Sequence, residues 1–361
     1  MSIIIKIAKL QFMTVNQIPT GKFIDGEEIV AVELRNQKGT YVKIFNYGTI
    51  ISHFQTLNAK GELQDIVLGF EDISAYFTDD YLANGAYLGA VIGRYANRIK
   101  DGEFQMKGVD YSLSKNSDGN MLHGGIEGFD KKIWEITETK SQPHASVTFG
   151  YESEDGEEGF PGNLWVRLNV ELTENNELIL SYEAKTDQAT PINLTHHDYF
   201  NLSPNGGSIA KHIQQIFSST YLAQDQTFAA TGKHIDVKDT AFDFSKPKEI
   251  GANWDSAEGY DQSFVLDKVD GELTLASRTS EKASGLMLSV YTTEPVVHFY
   301  TAKYLNVKNA KEGKDYGAFE AFCVETQHQP NAINIPEFPS TVLEPEDLYS
   351  QTTIYKVSIV S

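Results

Sequence analysis

The feature of this sequence that most limits its fold is a series of segments in which apolar and polar residues alternate. They include EIVAVELRNQKGTYVKIFNYG, SVTFGYES, WVRLNVELTENNELILSYEAKT, GLMLSVYTTEPVVHFYTA and TTIYKVSIV. The joints NQKG, ENNE and TEP have the composition of hairpin turns. Short alternating strands separated by turns predict an all-β fold, a large and mostly antiparallel β-sandwich, rather than βαβ units. The segment DISAYFTDDYL predicts one short helix.

The composition does not divide the chain into parts. Its 361 residues contain no Pro- or Ser-rich linker, no low-complexity tract and no convincing repeat. We therefore expect a single domain over residues 1–361. The sequence also contains no run of about eighteen apolar residues, so no membrane span is expected.

The chain is strongly acidic, with 50 acidic and 30 basic residues and a net charge of −20. Such a charge repels nucleic acid and anionic membranes and makes a highly phosphorylated substrate less natural. The apolar opening MSIIIKIAKLQF is short and interrupted by Lys6 and Lys9, so it predicts no signal peptide. One cysteine, Cys323, fits a reducing compartment. These features predict a soluble, cytoplasmic protein that binds neither nucleic acid nor membranes.

Two adjacent histidines lie in INLTHHDYFNL, residues 192–202, which is predicted to be a strand. Adjacent residues of a strand point to opposite faces. One face of this strand is polar or amphipathic throughout and carries Asn193, Thr195, His197, Tyr199 and Asn201. A face of this kind is costly to bury in a core, so we expect it to line a water-filled cleft. His197 is then the cleft histidine and His196 lies on the packing face; the alternative is that either is a satisfied structural histidine.

Three further segments contain candidate functional residues. Glu325 ends the apolar stretch AFEAFCVE, and burial of a carboxylate favours proton transfer; a salt-bridged or turn-capping Glu is the alternative. His123 precedes Gly124 and Gly125, which allow a sharp turn; the alternative is an ordinary loop. Asp261 lies between aromatic residues in GYDQSF, a pattern that suits sugar binding, although an Asp in a hairpin turn is equally compatible with it.

The sequence shows no pattern typical of a metal or nucleotide site. It has neither His-Glu-x-x-His nor a cluster of cysteines. The glycine-rich GAYLGAVIGR is neither a dinucleotide fingerprint nor a P-loop. We therefore predict no zinc site and no nucleotide cofactor.

Six segments together resemble the motifs of the aldose 1-epimerases in order and spacing. They are GRYANRI, LHGG, DGEEGFPGNL, NLTHHDYFNL, YDQSF and ETQHQPNAINIPEFPST, and the resemblance runs from about Thr40 to the C-terminus. It implies the large antiparallel supersandwich of the galactose mutarotases, with an open cleft and no cofactor. It also implies interconversion of the α and β anomers of a free hexose such as galactose or glucose.

The resemblance also implies roles for individual residues. Glu325 matches the general base of the family and His197 matches its general acid. The expected substrate-binding residues are Arg94, His123, Asp261, Asn97, Gln327 and Tyr199. The family usually has Asn where this chain has His196, and Asp where it has Asn331. Neither departure replaces an acid–base residue, so the implied reaction is unchanged, and substrate preference is the property that they leave open.

Other functions are compatible with parts of this pattern. A hexose-6-phosphate 1-epimerase would share the chemistry but needs extra cations, and Arg94 and Arg98 are the only obvious pair. A non-catalytic carbohydrate-binding β-sandwich would not need the Glu–His pair. A glycoside hydrolase would need two carboxylates flanking the scissile bond. The favoured partner is a small sugar, and the protein is expected to be a monomer or homodimer.

Overall fold

The computed structural model describes residues 13–84, 86–254 and 258–360. The opening segment, for which no signal peptide is predicted, lies outside these ranges. The described chain is built from strands, and every pairing between named strands within it is antiparallel. The prediction of an all-β, mostly antiparallel fold is therefore confirmed.

Three large sheets contain most of the strands. The first sheet has the spatial order β1 (Thr14–Ile24), β2 (Glu27–Arg35), β3 (Tyr41–Phe45), β4 (Ile51–Leu57) and β5 (Leu63–Asp65). The nine-stranded sheet has the order β11 (Glu135–Lys140), β12 (Ala145–Ser153), β13 (Leu164–Leu172), β14 (Glu177–Thr186), β27 (Tyr349–Ile359), β23 (Leu286–Thr292), β22 (Thr274–Glu281), β17 (Ile213–Ile216) and β20 (Lys248–Glu249). A third sheet, here called the floor sheet, has the order β19 (Ala230–Asp236), β18 (Ser218–Gln224), β21 (Asp261–Leu266), β24 (Val296–Tyr300) and β25 (Cys323–Gln327).

Short strand pairs and helices complete the fold. The pairs are β6 (Val91–Ile92) with β16 (Thr195–His196), β7 (Arg98–Ile99) with β10 (Met121–Leu122), β8 (Glu103–Met106) with β9 (Val109–Ser112), and β15 (Thr190–Pro191) with β26 (Val342–Leu343). The α-helix is α1 (Asp79–Asn84), and the 3₁₀ helices are Ile73–Phe77, Lys100–Gly102, Phe129–Lys131, Glu157–Gly159, Ile209–Lys211, Ile250–Asn253, Lys311–Gly313 and Ala332–Asn334. The helices of the described chain are too short or too polar to cross a bilayer.

The segment predicted to be one short helix forms two. Residues Ile73–Phe77 are a 3₁₀ helix and Asp79–Asn84 are α1. Asp72 precedes the first of these, and its carboxylate accepts the backbone N–H of Ser74 at 2.7 Å. Such a cap satisfies a backbone donor that the helix itself leaves unpaired.

The floor sheet packs one face against the nine-stranded sheet. Its core face includes Phe264, Val297, Phe299 and Val324, which belong to the same apolar cluster as Leu288 of β23. Because side chains alternate along a strand, the residues between them point to the opposite face. That opposite face forms the floor of a cavity, so the same strands build both the core and the candidate site.

Two of the three predicted hairpin turns are confirmed and one is wrong. NQKG joins β2 to β3 and ENNE joins β13 to β14, and both pairs of strands are neighbours in their sheets. TEP, residues 293–295, follows β23 in the nine-stranded sheet and precedes β24 in the floor sheet, and these strands do not pair. The N–H of Thr293 donates to Thr352 O, while Pro295 O accepts the N–H of Leu266. The segment therefore carries the chain from one sheet to the other.

The segment 192–202 is a continuous strand only over Thr195–His196, which pairs with β6. Its predicted polar face does not line a cleft throughout. Asn193 exchanges hydrogen bonds with the backbone of His328 at 2.9 and 3.3 Å, and Asn201 donates to the carbonyls of Gly207 and Glu320 at 2.8 and 2.7 Å. Backbone partners satisfy these two amides, so Asn193 and Asn201 are buried without needing water.

Candidate active site

A cavity of about 290 Å³ lies over the free face of the floor sheet. Its floor is formed by Asp261 of β21, His298 and Tyr300 of β24, and Glu325 of β25. His298 and Tyr300 are two positions apart on β24, so they point to the same face. Asp261 is directly opposed to Tyr300, and Glu325 is directly opposed to His298. Of the eight predicted site residues, six line this cavity: His197, Glu325, His123, Asp261, Asn97 and Tyr199.

The two residues predicted to act as acid and base lie next to each other. His197 Nε2 is 3.5 Å from Glu325 Oε1, and both side chains are buried. Two further atoms of the pair, His197 Nδ1 and Glu325 Oε2, have no hydrogen-bond partner within the described chain. Buried polar atoms without a partner are uncommon in folded proteins, so this pair is suited to bind the polar groups of a ligand.

Aromatic rings and backbone bonds fix the position of His197. Its ring stacks on Tyr199 with ring centroids 5.0 Å apart. The centroid of the Tyr87 ring lies 5.9 Å from that of His197. Its backbone N–H donates to Ala90 O at 2.8 Å, and its carbonyl accepts the N–H of Gly89 at 3.0 Å. The imidazole therefore has little freedom to turn away from Glu325.

His196 points to the other side of the same segment. Its Nδ1 is 3.0 Å from Asp198 Oδ2, and its Nε2 is 3.2 Å from Thr49 O. Both ring nitrogens thus face acceptors, and the residue does not line the cavity. We infer a structural role for His196, in which it pairs with a buried carboxylate.

His123 enters the cavity from a turn that requires glycine. A Cβ on Gly124, whose φ is +91°, would lie 1.8 Å from Gly93 O, so no other residue fits without moving the backbone. The Asn97 carbonyl accepts the His123 N–H at 3.0 Å, and the Asn97 N–H donates to His123 Nδ1 at 3.2 Å. Because Nδ1 accepts this bond, the neutral ring carries its proton on Nε2.

This tautomer decides whether the cavity suits a metal ion. The ligand-type atoms of His123, His197 and Glu325 lie within 4.8 Å of one another, which is compatible in principle with a cation. A histidine coordinates a metal through an unprotonated nitrogen. Since the Nδ1 of His123 is already an acceptor, coordination through Nε2 would require an imidazolate. The group therefore fits a hydrogen-bond donor better than a metal ligand.

The charges around His123 support this conclusion. Burial, followed by the nearby charges of His197, Arg98 and His298, lowers the pKa of His123 well below its ordinary value. The ring is therefore neutral at physiological pH. It presents one fixed donor, and that donor does not depend on pH in the working range.

Asp261 is held in its ionised form by a histidine on the next strand. Asp261 Oδ1 lies 2.8 Å from His298 Nε2, and His298 Nδ1 lies 2.8 Å from Ser263 Oγ. Burial raises the pKa of Asp261, but the hydrogen bond and positive charge of His298, together with Arg98, outweigh it and lower the pKa below its usual range. A carboxylate in this state accepts hydrogen bonds from ligand hydroxyls.

Arg94 does not reach the cavity, which contradicts its predicted role in substrate binding. Its guanidinium is buried, and it donates to these oxygens: Pro161 O, Gly162 O, Ser153 O, Glu154 O, Ser153 Oγ and Thr190 Oγ1. Burial lowers its pKa to about 10. Each guanidinium nitrogen of Arg94 donates to protein oxygens, so Arg94 links β12 to residues 161–162 and 190.

Arg98 occupies the place that was predicted for Arg94. It lines the cavity at the start of β7, and its guanidinium carbon lies 5.3 Å from the centre of the Phe228 ring. Among the described residues lining this cavity, it is the one Arg or Lys. The available signal in the sequence was its position directly after Asn97, which was already a candidate.

We expect the two arginines to respond differently to substitution. Arg98→Gln should raise KM on the order of 10–100-fold, because a charged hydrogen bond to the ligand is lost, while the denaturation midpoint changes little. Arg94→Met should lower the free energy of unfolding by about 3 kcal/mol or more, because several buried carbonyls lose their donor. Steady-state kinetics and denaturant titration of both variants test this. The reverse pattern would restore the prediction made from the sequence.

Gln327 and Asn331 lie outside the cavity lining. Gln327 is buried on the same face of β25 as Glu325, and neither amide atom has a partner within the described chain. Asn331 has a φ of +59°, accepts the Lys100 N–H at 3.0 Å and donates to Ala230 O at 3.1 Å. Asn331 therefore holds a loop in place, and its departure from the family pattern does not touch the cavity.

Several cavity residues were missed by the sequence analysis. Besides Arg98, the main ones are His298, Tyr87, Tyr300, Phe228, Tyr304 and Leu305. His298 and Tyr300 were detectable in principle, because they alternate with the apolar residues of VVHFY. Phe228 and Tyr304 lie in loops after β18 and β24, where no periodic pattern marks them.

Comparisons with known proteins identify the family of this chain. A family model described as aldose 1-epimerase matches residues 30–356. The chain is 39% identical over 347 residues to the galactose mutarotase of Rattus norvegicus, which covers 95% of this chain and 97% of that protein. It is 41% identical over 325 residues to the galactose mutarotase of Homo sapiens, which covers 88% of this chain and 91% of that protein.

A solved structure shows the same architecture. The aldose epimerase homologue from C. elegans matches with a TM-score of 0.84 and 29% sequence identity, and the match covers 96% of this chain and 100% of that one. The predicted family and the galactose mutarotase-like β-sandwich are thus both confirmed. The chain belongs to the aldose 1-epimerase family of carbohydrate epimerases.

Proposed function

We propose that the protein interconverts the α and β anomers of free hexoses such as galactose and glucose, with Glu325 as general base and His197 as general acid. The observation that carries this proposal is the buried pair, 3.5 Å apart, that lines a cavity of about 290 Å³. Each residue has one polar atom without a protein partner in the described chain.

The chemistry needs one proton acceptor and one proton donor. Glu325 removes the proton of the C1 hydroxyl while His197 donates a proton to the ring oxygen, and the C1–O5 bond breaks. The aldehyde then rotates about C1–C2. Ring closure on the other face returns both protons with the roles reversed. Each positioned acid or base contributes about 10²–10⁴-fold, so two of them suffice for a reaction that already proceeds in water.

The remaining cavity groups hold the sugar while C1 rotates. The Asp261 carboxylate accepts hydrogen bonds from the sugar hydroxyls, whereas His123 Nε2 and the Arg98 guanidinium donate hydrogen bonds to the sugar. Asn97 and Tyr199 add polar groups beside them. Fixing the rest of the sugar confines motion to the reacting end, which is how positioning contributes to rate.

The charge of the cavity favours a free hexose over a hexose phosphate. Three carboxylates line it, those of Asp118, Asp261 and Glu325, and Arg98 is the one Arg or Lys in the described lining. The described lining therefore offers no cluster of Arg and Lys side chains to a phosphate group, within a chain whose overall charge is −20.

Polarimetry of freshly dissolved α-galactose and α-glucose tests this function. We expect the protein to accelerate the change in rotation, to retain that activity after exhaustive chelation, and to use the free hexose far better than its 6-phosphate. Comparable kcat/KM for the phosphate would support a hexose-phosphate epimerase. Sugar binding without acceleration would identify a binding module, and loss of activity on chelation with recovery on adding a divalent ion would refute the metal-free mechanism.

A further inference from the structure

His298 lies in the middle of β24 and points to the cavity face of the floor sheet. In the antiparallel register it is opposed to Ser263 of β21 on one side and to Glu325 of β25 on the other. Directly opposed residues have Cβ atoms about 4.5–5.5 Å apart. The three side chains therefore form a row across three strands, with the imidazole in the centre.

The hydrogen bonds of His298 permit it to carry a charge. Nε2 donates to Asp261 Oδ1 at 2.8 Å, and Nδ1 lies 2.8 Å from Ser263 Oγ. A serine hydroxyl either donates to Nδ1 or accepts from it. The ring can therefore bind a second proton without losing a partner, in contrast to His123, whose Nδ1 already accepts a backbone N–H.

The groups facing His298 favour that charge on balance, although Arg98 opposes it. They are Asp261 from β21, Glu325 from β25, and Arg98, His123 and His197 from the cavity wall. Burial lowers the pKa of His298, but the hydrogen bond to Asp261 and the negative charges of Glu325 and Asp261 outweigh it, so the pKa lies above its ordinary value. A positive charge then stands between the buried Glu325 carboxylate and the half-buried Asp261 carboxylate, which would otherwise repel each other.

We propose that His298 is a positioning residue whose imidazolium charge stabilises the negative charge that the neighbouring Glu325 carboxylate carries as proton acceptor. The inference rests on the proposed function and extends it to a residue outside the acid–base pair. In this arrangement Asp261 stabilises the imidazolium of His298, in addition to accepting hydrogen bonds from the sugar.

The pH dependence of kcat/KM in His298→Gln tests the proposal. The amide of Gln can donate to Asp261 and accept from Ser263, so the hydrogen bonds are retained while the charge is lost. The acidic limb of this profile reports ionisation of the base in the free enzyme. We expect the limb to move to higher pH by about one unit or more, so that activity on the limb falls about tenfold, with a smaller loss on the plateau.

A matched control is His53→Gln, another buried histidine that is paired with a carboxylate but lies outside this cavity. Its Nε2 is 3.2 Å from Glu71 Oε2. We expect the acidic limb of the kcat/KM profile of His53→Gln to coincide with that of the unmodified enzyme. A purely structural role of His298 would lower the whole profile without moving its limb, and that outcome would overturn the proposal.

A second measurement does not depend on activity or on the folding of His298→Gln. NMR titration of the His298 ring should give a lower pKa in Glu325→Gln than in the unmodified protein, because a negative charge has been removed. An unchanged titration would overturn the proposal and leave the proposed function standing. Absence of mutarotation in the unmodified enzyme would instead overturn the proposed function, while the coupling of the two residues would remain measurable.

Discussion

Replacing Glu325 by Gln should reduce kcat by about 10²–10⁴-fold, the contribution of a positioned general base. Glutamine keeps the size and shape of the side chain but cannot take the proton of the C1 hydroxyl. Sugar binding should persist, because Asp261, His123 and Arg98 still line the cavity. Polarimetry measures the rate, and calorimetry with a 1-deoxy sugar, which cannot open its ring, measures binding.

Glu294→Gln is a suitable control for Glu325→Gln. Glu294 is also buried, and its Oε2 lies 2.5 Å from His328 Nδ1, outside the cavity lining. We expect this variant to lose stability and to retain its rate. Near-normal activity of Glu325→Gln would disprove the assignment of the base, whereas equal losses in both variants would point to a general effect of removing a buried carboxylate.

Replacing His197 by Asn should cost at least about two orders of magnitude in kcat, because the proposed general acid is lost. Replacing His196 by Asn should instead lower stability. His196 pairs with the buried Asp198, and its loss leaves that carboxylate without its imidazole partner. Removing one partner of a buried pair typically costs about 3–5 kcal/mol.

Both histidine variants need a test of folding before their rates are compared. Denaturant titration gives the free energy of unfolding, and polarimetry gives kcat for the folded fraction. An inactive His196→Asn that is fully folded, together with an active His197→Asn, would show that the acid has been assigned to the wrong histidine.

The strands of this fold could be predicted from the sequence, but their assignment to sheets could not. Alternation along VVHFY is a local property and marks a strand regardless of its neighbours. Which strand lies beside β24 depends on β21 and β25, which are distant in the sequence. The segment TEP was therefore interpreted as a hairpin, because the same residues serve a hairpin and a crossing between sheets.

The site was predictable where a residue type and its motif both pointed to chemistry. His197 and Glu325 were found in this way. Arg94 was not distinguishable from Arg98, because an arginine that donates to buried carbonyls has no local signature. The difference lies in partners such as Pro161 and Thr190, which are brought to Arg94 only by the folded chain.

The strands of the floor sheet build both the core and the cavity floor, and this limits how the substrate range of this enzyme can change. Each floor side chain has at least one apolar sequence neighbour that fills the core, and His298 has two, Val297 and Phe299. A backbone shift that made room for a different sugar at the floor would also loosen the interior. Residues of the surrounding loops, such as Phe228 and Tyr304, face no such constraint. Diversification among relatives, and any attempt to redirect this enzyme by engineering, is therefore expected to proceed through the rim and to leave the floor intact.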